Sequence, residues 1–282
     1  MTQAGMNTDQ QMETAMRFHK SANLAAAEAI YRQVLAQYPS HAGALHLLGM
    51  ARGQQGNVRE AADLIGRSVS IDPSRAVAFS NLGVFLGAMG RHNEAIDACR
   101  RAIAIQPDLA EAHSNLANAL MAMGKFQEAI AGYEKAIQLN PDLVEAHGNL
   151  GVALGKAGRY DQALAELRRA VRLDARKPET YNHLGEVLRV MGRCEEAIDE
   201  LNHAIRLRPR FVETHHAMGK ALADLGRLDD AISAYRRAIL FKADFPNVFF
   251  DLASALRKKG QPDEAAAVQQ QGEQIQSAAS TP

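Results

Sequence analysis

The sequence predicts an all-α protein, a solenoid of eight helical hairpins with about sixteen helices. Two observations support this prediction: a glycine recurs every 34 residues, and an alanine recurs with the same period in another phase. The glycines are Gly56, Gly90, Gly124, Gly158, Gly192, Gly226 and Gly260. The alanines are Ala27, Ala61, Ala95, Ala129, Ala163, Ala197, Ala231 and Ala265. A fixed period of this length is typical of proteins that stack similar helical units.

A frame that starts at Thr8 divides the chain into eight units without an insertion. The units are 8–41, 42–75, 76–109, 110–143, 144–177, 178–211, 212–245 and 246–279. We predict that residues 8–279 form one solenoid, that residues 1–7 are disordered, and that residues 280–282 form a short tail.

Each unit is expected to contain two helices, and the fourth unit shows why. Apolar residues keep the spacing of a helical face in both of its halves. They are Leu116, Leu120 and Met123, then Phe126, Ile130, Tyr133 and Ile137. Gly124 lies between the halves, where a residue with a left-handed conformation ends a helix. Pro141 follows the second half, and proline cannot continue a helix.

Composition and charge argue against several classes of protein. Hydrophobic residues make up 47% of the chain, which is too apolar for a disordered chain. The 32 Lys and Arg residues balance the 32 Asp and Glu residues, so we expect no nucleic-acid partner bound through its phosphates. The uncharged stretch between Arg75 and Arg91 is shorter than the roughly 20 residues of a membrane helix, and we expect no membrane partner.

The first residues of the sequence show no apolar stretch of a signal peptide. The only cysteines, Cys99 and Cys194, are not spaced as a CxxC motif, which suits a reducing compartment. These features predict a cytoplasmic protein.

The 34-residue pattern resembles the tetratricopeptide repeat (TPR), and the resemblance covers residues 8–279. Small residues recur in the first helix of most units, at Gly49, Gly83, Ala117, Gly151, Gly185, Gly219 and Ala253. They let the two helices of a pair approach closely. The resemblance implies a right-handed superhelix of helical hairpins with a concave inner face. It also implies that the protein binds a protein or peptide partner in this concave groove.

In the tetratricopeptide repeat family the first helix of each pair faces the groove, which implies a set of candidate peptide-binding residues. They are Ser80, Asn81, Ser114, Asn115, Asn118, Asn149, Asn182, His183 and Phe250. The positions in units 2 to 5 are small, polar and almost uncharged, whereas units 6 to 8 carry charged residues. The groove is therefore expected to change character along its length.

Asn81, Asn115 and Asn149 occupy the same position in three consecutive units. A side-chain amide offers donors and an acceptor, which suits the backbone of an extended peptide. The row resembles the asparagine ladder in the repeat arm of O-linked N-acetylglucosamine transferases, although Leu47, His183, Ala217 and Asp251 depart from it. The alternative is a structural role, in which the amides bind neighbouring groups of the repeat itself.

Phe250 stands where other units have Ser80, Ser114, Gly148, Asn182 or His216. We expect its ring either to project into the groove as an anchor for a partner side chain, or to fold over the last helix as part of a cap.

The sequence contains no motif that indicates an enzyme, since a P-loop, GxGxxG, HExxH and GxSxG are all missing. His113, His147 and His215 share one repeat position. Because no cysteine or carboxylate with ligand spacing accompanies them, half-buried packing is favoured over metal binding. We therefore predict no enzyme, no cofactor and no metal.

Three functions are compatible with these features. The first is a non-catalytic scaffold that binds an extended peptide segment of a partner protein. The second is a substrate-recruiting or accessory arm for a glycosyltransferase that acts in trans. The third is a structural module that assembles with copies of itself.

Overall fold

The computed structural model describes residues 7–279, and it is built from α-helices alone within that range. The helices are α1 (Thr8–Lys20), α2 (Leu24–Gln37), α3 (Ala42–Gln54), α4 (Val58–Ile71), α5 (Ala76–Ala88), α6 (His92–Ile105), α7 (Ala110–Ala122), α8 (Phe126–Leu139), α9 (Val144–Lys156), α10 (Tyr160–Leu173), α11 (Pro178–Val190), α12 (Cys194–Leu207), α13 (Val212–Asp224), α14 (Leu228–Phe241), α15 (Pro246–Lys258) and α16 (Pro262–Ala279). The predicted all-α class and the predicted number of helices are confirmed for these residues.

The helices follow the 34-residue period. The first helix of every pair begins on the first residue of a unit, from Thr8 to Pro246. The predicted N-terminal segment 1–7 lies outside the described residues except for Asn7, and so does the predicted tail 280–282. Asn7 accepts a hydrogen bond from the backbone of Gln10 and caps α1.

A glycine ends the first helix of seven pairs. Gly124 has a φ of +72°, a conformation that is unfavourable for a residue with a Cβ atom. The backbone N–H of Lys125 donates to the carbonyl of Leu120 at 3.0 Å across this turn, which satisfies an otherwise open carbonyl at the helix end. In the first pair a non-glycine residue, Ala22, takes this conformation with a φ of 59°.

Small residues bring the two helices of a pair together. The alanines that recur in the second helices, from Ala27 to Ala265, are all fully buried. A Cβ atom placed on Gly151 would lie 2.5 Å from Cγ of Leu167, and a Cβ atom placed on Gly185 would lie 2.5 Å from Cγ of Leu201. A side chain at either position would force the facing leucine to shift, so these glycines allow the close helix spacing within their pairs.

The chain forms two compact units, unit 1 (Met1–Ala146) and unit 2 (His147–Pro282). In unit 1 each helix packs on the next, and the first helices α1, α3, α5 and α7 also contact one another in sequence. In unit 2 the first helices α11, α13 and α15 are related in the same way. Within each unit, hairpins thus contact their neighbours in the chain, as in other repeat proteins.

Candidate functional site

The first helices of unit 1 carry a shallow pocket at the position where the sequence predicts peptide binding. Val84 and Gly87 on α5 line it together with Asn115 and Asn118 on α7, and its volume is about 170 Å³. None of the lining residues is an acid, a lysine or an arginine. We call the surface formed by α3, α5 and α7 the first-helix face of unit 1.

The asparagines on this face bind the preceding repeat. Nδ2 of Asn81 lies 2.9 Å from Nε2 of His46, and Nδ2 of Asn115 donates to Oγ of Ser80 at 3.0 Å. In both pairs the partner is 35 residues earlier in the sequence. The amide therefore links two stacked hairpins, which supports the structural alternative for these two residues. Asn149 is half-buried in unit 2 and also has an interaction partner.

In unit 2 a polar contact between residues 35 positions apart also joins two hairpins, and there it is formed by a histidine and an aspartate. Nε2 of His216 lies 2.6 Å from Oδ2 of Asp251, again 35 residues apart. At Asn182 the link is missing because the residue 35 positions later is Ala217. Oδ1 of Asn182 is buried and has no hydrogen-bond partner among the described residues. The sequence analysis did not predict that His46 pairs with Asn81 or His216 with Asp251, although a search for polar pairs at this spacing would have found both.

Three predicted peptide-binding residues do not lie on an open surface. Ser80 is 2% exposed, Ser114 is 5% exposed and Asn182 is 3% exposed, so little of these side chains is accessible to a partner, and their role in peptide binding stays a prediction. Ser80 lies against the next first helix, where its hydroxyl accepts a hydrogen bond from Asn115. Asn118 is exposed, and its Oδ1 accepts a hydrogen bond from the Tyr133 hydroxyl at 2.6 Å.

Phe250 on α15 lies against the last helix. The ring is half-buried, and its Cε1 atom lies 3.2 Å from the position of a Cβ atom on Gly272. Gly272 belongs to α16, and its missing side chain leaves the space that the ring approaches. This contact supports the alternative in which Phe250 packs as part of a cap.

His183 lies in a second pocket, which belongs to unit 2. The charged residues of its lining come from three first helices: Lys156 from α9, Glu186 and Arg189 from α11, and Lys220 from α13. The pocket has a volume of about 240 Å³, and Val152, Val187 and Val190 form apolar parts of its wall.

Some of the charged side chains in this pocket have a close partner of opposite charge. Arg189 donates to Oδ2 of Asp224 at 2.6 Å, and Nδ1 of His183 lies 3.5 Å from Oε2 of Glu186. Partial desolvation opposes ionisation of Glu186, but the hydrogen bond from His183 and the charges of His183, Lys220 and Lys156 outweigh it. The net effect is that the pKa of Glu186 lies below its ordinary value.

The histidines considered as metal ligands bind protein groups. Nδ1 of His147 lies 2.7 Å from Oε2 of Glu166, and the rings of His113 and His215 bind the carbonyls of Pro107 and Pro209. Within residues 7–279 no group of three or more His, Cys, Asp or Glu side chains is arranged to hold a metal ion.

The two cysteines are buried and do not form a disulfide. Burial raises the pKa of the Cys99 thiol to about 12, and the pKa of Cys194 is raised mainly for the same reason. Neither thiol is therefore a reactive nucleophile at neutral pH, because the thiolate is the reactive form.

A chain whose residues 7–279 form α-helical hairpins with a 34-residue period is a helical repeat protein. Family models for the TPR repeat match residues 86–124, 117–158 and 156–189. Models for the tetratricopeptide repeat match residues 177–241, and residues 14–76 and 216–279. The chain belongs to the tetratricopeptide repeat family.

Solved structures support the same assignment. The crystal structure of MamA is 27% identical, covers 58% of this chain and 96% of its own, and has a TM-score of 0.51. The Cut9–Hcn1 hetero-tetramer of the APC/C is 21% identical over 89% of this chain, with a TM-score of 0.73. The match spans half of that chain's length.

YrrB, described as a TPR protein with an unusual peptide-binding site, is 21% identical. It covers 71% of this chain and 99% of its own, with a TM-score of 0.54. At this identity YrrB and Cut9–Hcn1 show the fold alone. No curated protein sequence matches the chain significantly. None of the helices between residues 7 and 279 has the length and apolar character that crossing a membrane requires.

Proposed function

We propose that this protein is a non-catalytic scaffold for protein–protein interaction and that it binds an extended segment of a partner in the concave groove implied by its family. The first-helix face of unit 1 is the proposed binding surface. The tetratricopeptide repeat fold is used generally for protein binding, and YrrB is a member described as having a peptide-binding site.

The pocket between α5 and α7 is the observation that carries this proposal. Its lining contains no Asp, Glu, Lys or Arg, and much of it is contributed by glycine and alanine. A polypeptide backbone can therefore approach without desolvating a charge, which would be unfavourable. A concave, mainly apolar lining with a few well-placed polar groups is typical of ligand-binding sites.

Asn115 supplies polar groups at this pocket. One N–H of its amide donates to Ser80, and an amide has a second N–H and a carbonyl oxygen in addition. These two groups match the carbonyl and N–H of a peptide bond. The structural role of the asparagine and a role in peptide binding are therefore compatible, because they use different atoms.

The glycosyltransferase alternative rests on the row of asparagines. The hydrogen bonds of Asn81 and Asn115 to the preceding hairpins explain these residues without a transferase. We therefore prefer the general scaffold.

The proposed location is the cytoplasm, because two buried free cysteines suit a reducing compartment.

The test is to fill the pocket without disturbing the fold. Gly87 lines the pocket, and a Cβ atom placed on it would meet only Cβ of Ala95, at 4.0 Å. Gly87→Leu should therefore fold normally while it blocks the surface. Gly66→Leu on α4 is the matched control, since a Cβ atom there meets nothing within 4 Å.

Partner segments would be captured with the wild-type chain, identified by mass spectrometry and synthesised as peptides. We expect Gly87→Leu to weaken their affinity about tenfold or more, measured by calorimetry, because occlusion removes a buried contact. Gly66→Leu should bind as the wild type does. Equal affinity of all three proteins, with unchanged melting temperatures, would contradict the proposed binding surface.

A further inference from the structure

A groove with a volume of about 630 Å³ lies between the second helices α4 and α6 of unit 1. Gly66 on α4 lines it, and a Cβ atom placed on this glycine would meet nothing within 4 Å. Leu82 and Leu86 on α5 and Ile71 on α4 form the apolar part of the lining, and Ile71 is 44% exposed. We call this surface the Gly66 groove. It shares no lining residue with the pocket that contains Asn115.

Gly66 stands where the other seven units have a longer side chain. Four of these side chains are arginines and none is a lysine. The residues are Arg32, Arg100, Glu134, Arg168, Asn202, Arg236 and Gln270. The groove is therefore a place where this repeat position contributes no side chain of its own.

At two other junctions the arginine of this position binds a glutamate on the next second helix. Arg236 donates to Oε1 of Glu264 at 2.5 Å, and Nη2 of Arg32 lies 3.8 Å from Oε1 of Glu60. In both pairs the glutamate follows the arginine by 28 residues. The residue 28 positions after the glycine of the groove is Glu94, which lines the groove. Glu94 is thus the acid of such a pair without its arginine.

Glu94 can accept a further guanidinium group although it is already paired. Arg91 donates to both of its carboxylate oxygens, and each of these oxygens has a second lone pair. The equivalent glutamate in unit 2, Glu196, is bound in the same way by Arg193. The charge of Arg168 acts on Glu196 as well, so both kinds of contact are compatible at one glutamate.

Arg67 also lines the groove, and its charge does not prevent a second arginine from binding there. Arg67 is exposed, so solvent weakens the repulsion between the two charges. Asp63, exposed on the same helix, adds a second carboxylate to the lining. In three other units the arginine of this position is followed directly by another arginine. These pairs are Arg100-Arg101, Arg168-Arg169 and Arg236-Arg237.

We infer that the Gly66 groove binds an arginine side chain of a partner protein, in the place that Arg32 and Arg236 take at their own junctions. The guanidinium group reaches Glu94 and Asp63, while the aliphatic part of the side chain lies on the apolar lining. Arginine fits better than lysine because its planar guanidinium can bind two carboxylates at once. The inference goes beyond the proposed function, because this groove is not part of the first-helix face of unit 1.

The probes are three acetylated and amidated peptides, Ser-Leu-Xaa-Leu-Ser, with arginine, lysine or citrulline at the centre. Citrulline has nearly the shape of arginine but carries no charge. Binding is measured by NMR titration of the 15N-labelled full chain. At low salt we expect the arginine peptide to bind at least about fivefold more tightly than the citrulline peptide, and about twofold more tightly than the lysine peptide. The largest shifts of amide signals should occur in α4 and α6.

Gly66→Arg supplies the missing side chain from the chain itself. It should fold, because a Cβ atom has room there, and it should bind the arginine peptide at least about fivefold more weakly. Asp63→Asn and Glu94→Gln should each reduce the preference for arginine over citrulline about threefold. Glu128→Gln is the matched control and should keep the preference, since Glu128 is the equivalent glutamate of the next unit and pairs with Lys125.

Equal binding of the arginine peptide and either other peptide would overturn the inference, and so would unchanged binding by Gly66→Arg. The result is separate from the test of the proposed function. Gly87→Leu should keep the preference for arginine, since Gly87 does not line the groove. Conversely, a captured partner segment that loses affinity in Gly66→Leu but not in Gly87→Leu binds through the Gly66 groove, which would support this inference and contradict the proposed binding surface for that segment.

Discussion

Lowering the pH from 7.5 to 5 should remove about 2 kcal/mol of folding stability through His46 alone. His46 is 6% exposed on α3. Burial, and then the charge of Arg75, lower the pKa of its ring from 6.5 to about 4. In addition, Nε2 faces the amide nitrogen of Asn81, and only the neutral ring can accept a hydrogen bond there.

The direction of the change in folding stability follows from the number of protons that the folded and the unfolded chain bind. Between pH 6.5 and pH 4 the unfolded chain holds a proton on His46 and the folded chain does not. Stability is therefore fully present above pH 6.5 and is lost as the pH falls. The full shift corresponds to about 3 kcal/mol, of which about 2 kcal/mol has been lost at pH 5.

The measurement is urea denaturation of the wild type and of His46→Gln at pH 7.5 and pH 5. His46→Gln cannot titrate, so the loss between the two pH values should be about 2 kcal/mol smaller in the variant. Any change in packing affects both pH values equally and cancels. If the wild type and the variant lose the same stability to within about 0.5 kcal/mol, a buried neutral His46 is the wrong explanation.

Two further predictions concern glycine positions and the C-terminal cap. Gly151→Ala should lower the free energy of unfolding by about 1–3 kcal/mol, because its Cβ atom would lie 2.5 Å from Cγ of Leu167. Gly148→Ala on the same helix meets nothing within 4 Å and should raise it by about 0.5–1 kcal/mol, so equal denaturant midpoints for the two variants would contradict the packing. Phe250→Ala should lower the free energy of unfolding by about 2 kcal/mol, because the ring packs near Gly272. An unchanged midpoint together with weaker peptide binding would show that Phe250 is an anchor and not part of the cap.

The helices were predictable from the sequence because their ends are encoded locally. Gly124 must adopt a positive φ to end α7, and Pro141 cannot continue α8, so the residue type alone fixes the boundary. The close approach at Gly151 was also predictable, since a small residue recurs there in most units. These features depend on one residue and its period in the chain.

The candidate site was harder to predict because it depends on what lies beside each residue. Ser80 and Asn118 both belong to first helices, yet one is buried and the other exposed. The partners of Asn81 and Asn115 are on the preceding hairpin, so the structural role of these amides appears only when hairpins are stacked. The pocket around Lys156 and Lys220 likewise requires three helices that are far apart in the sequence.

Asn182 lacks a polar contact with the next hairpin, and this absence affects where local unfolding of unit 2 begins. Three polar pairs, His46 with Asn81, Ser80 with Asn115 and His216 with Asp251, join hairpins at this repeat position. At Asn182 the corresponding residue Ala217 offers no polar side chain, and a buried carbonyl oxygen has no partner among the described residues. An unsatisfied buried group makes opening less costly at that place. The surface pair of Arg189 and Asp224 spans the same two helices and is weakened by salt. We therefore expect backbone amides at the junction of α11 and α13 to exchange with solvent before those at the junction of α13 and α15.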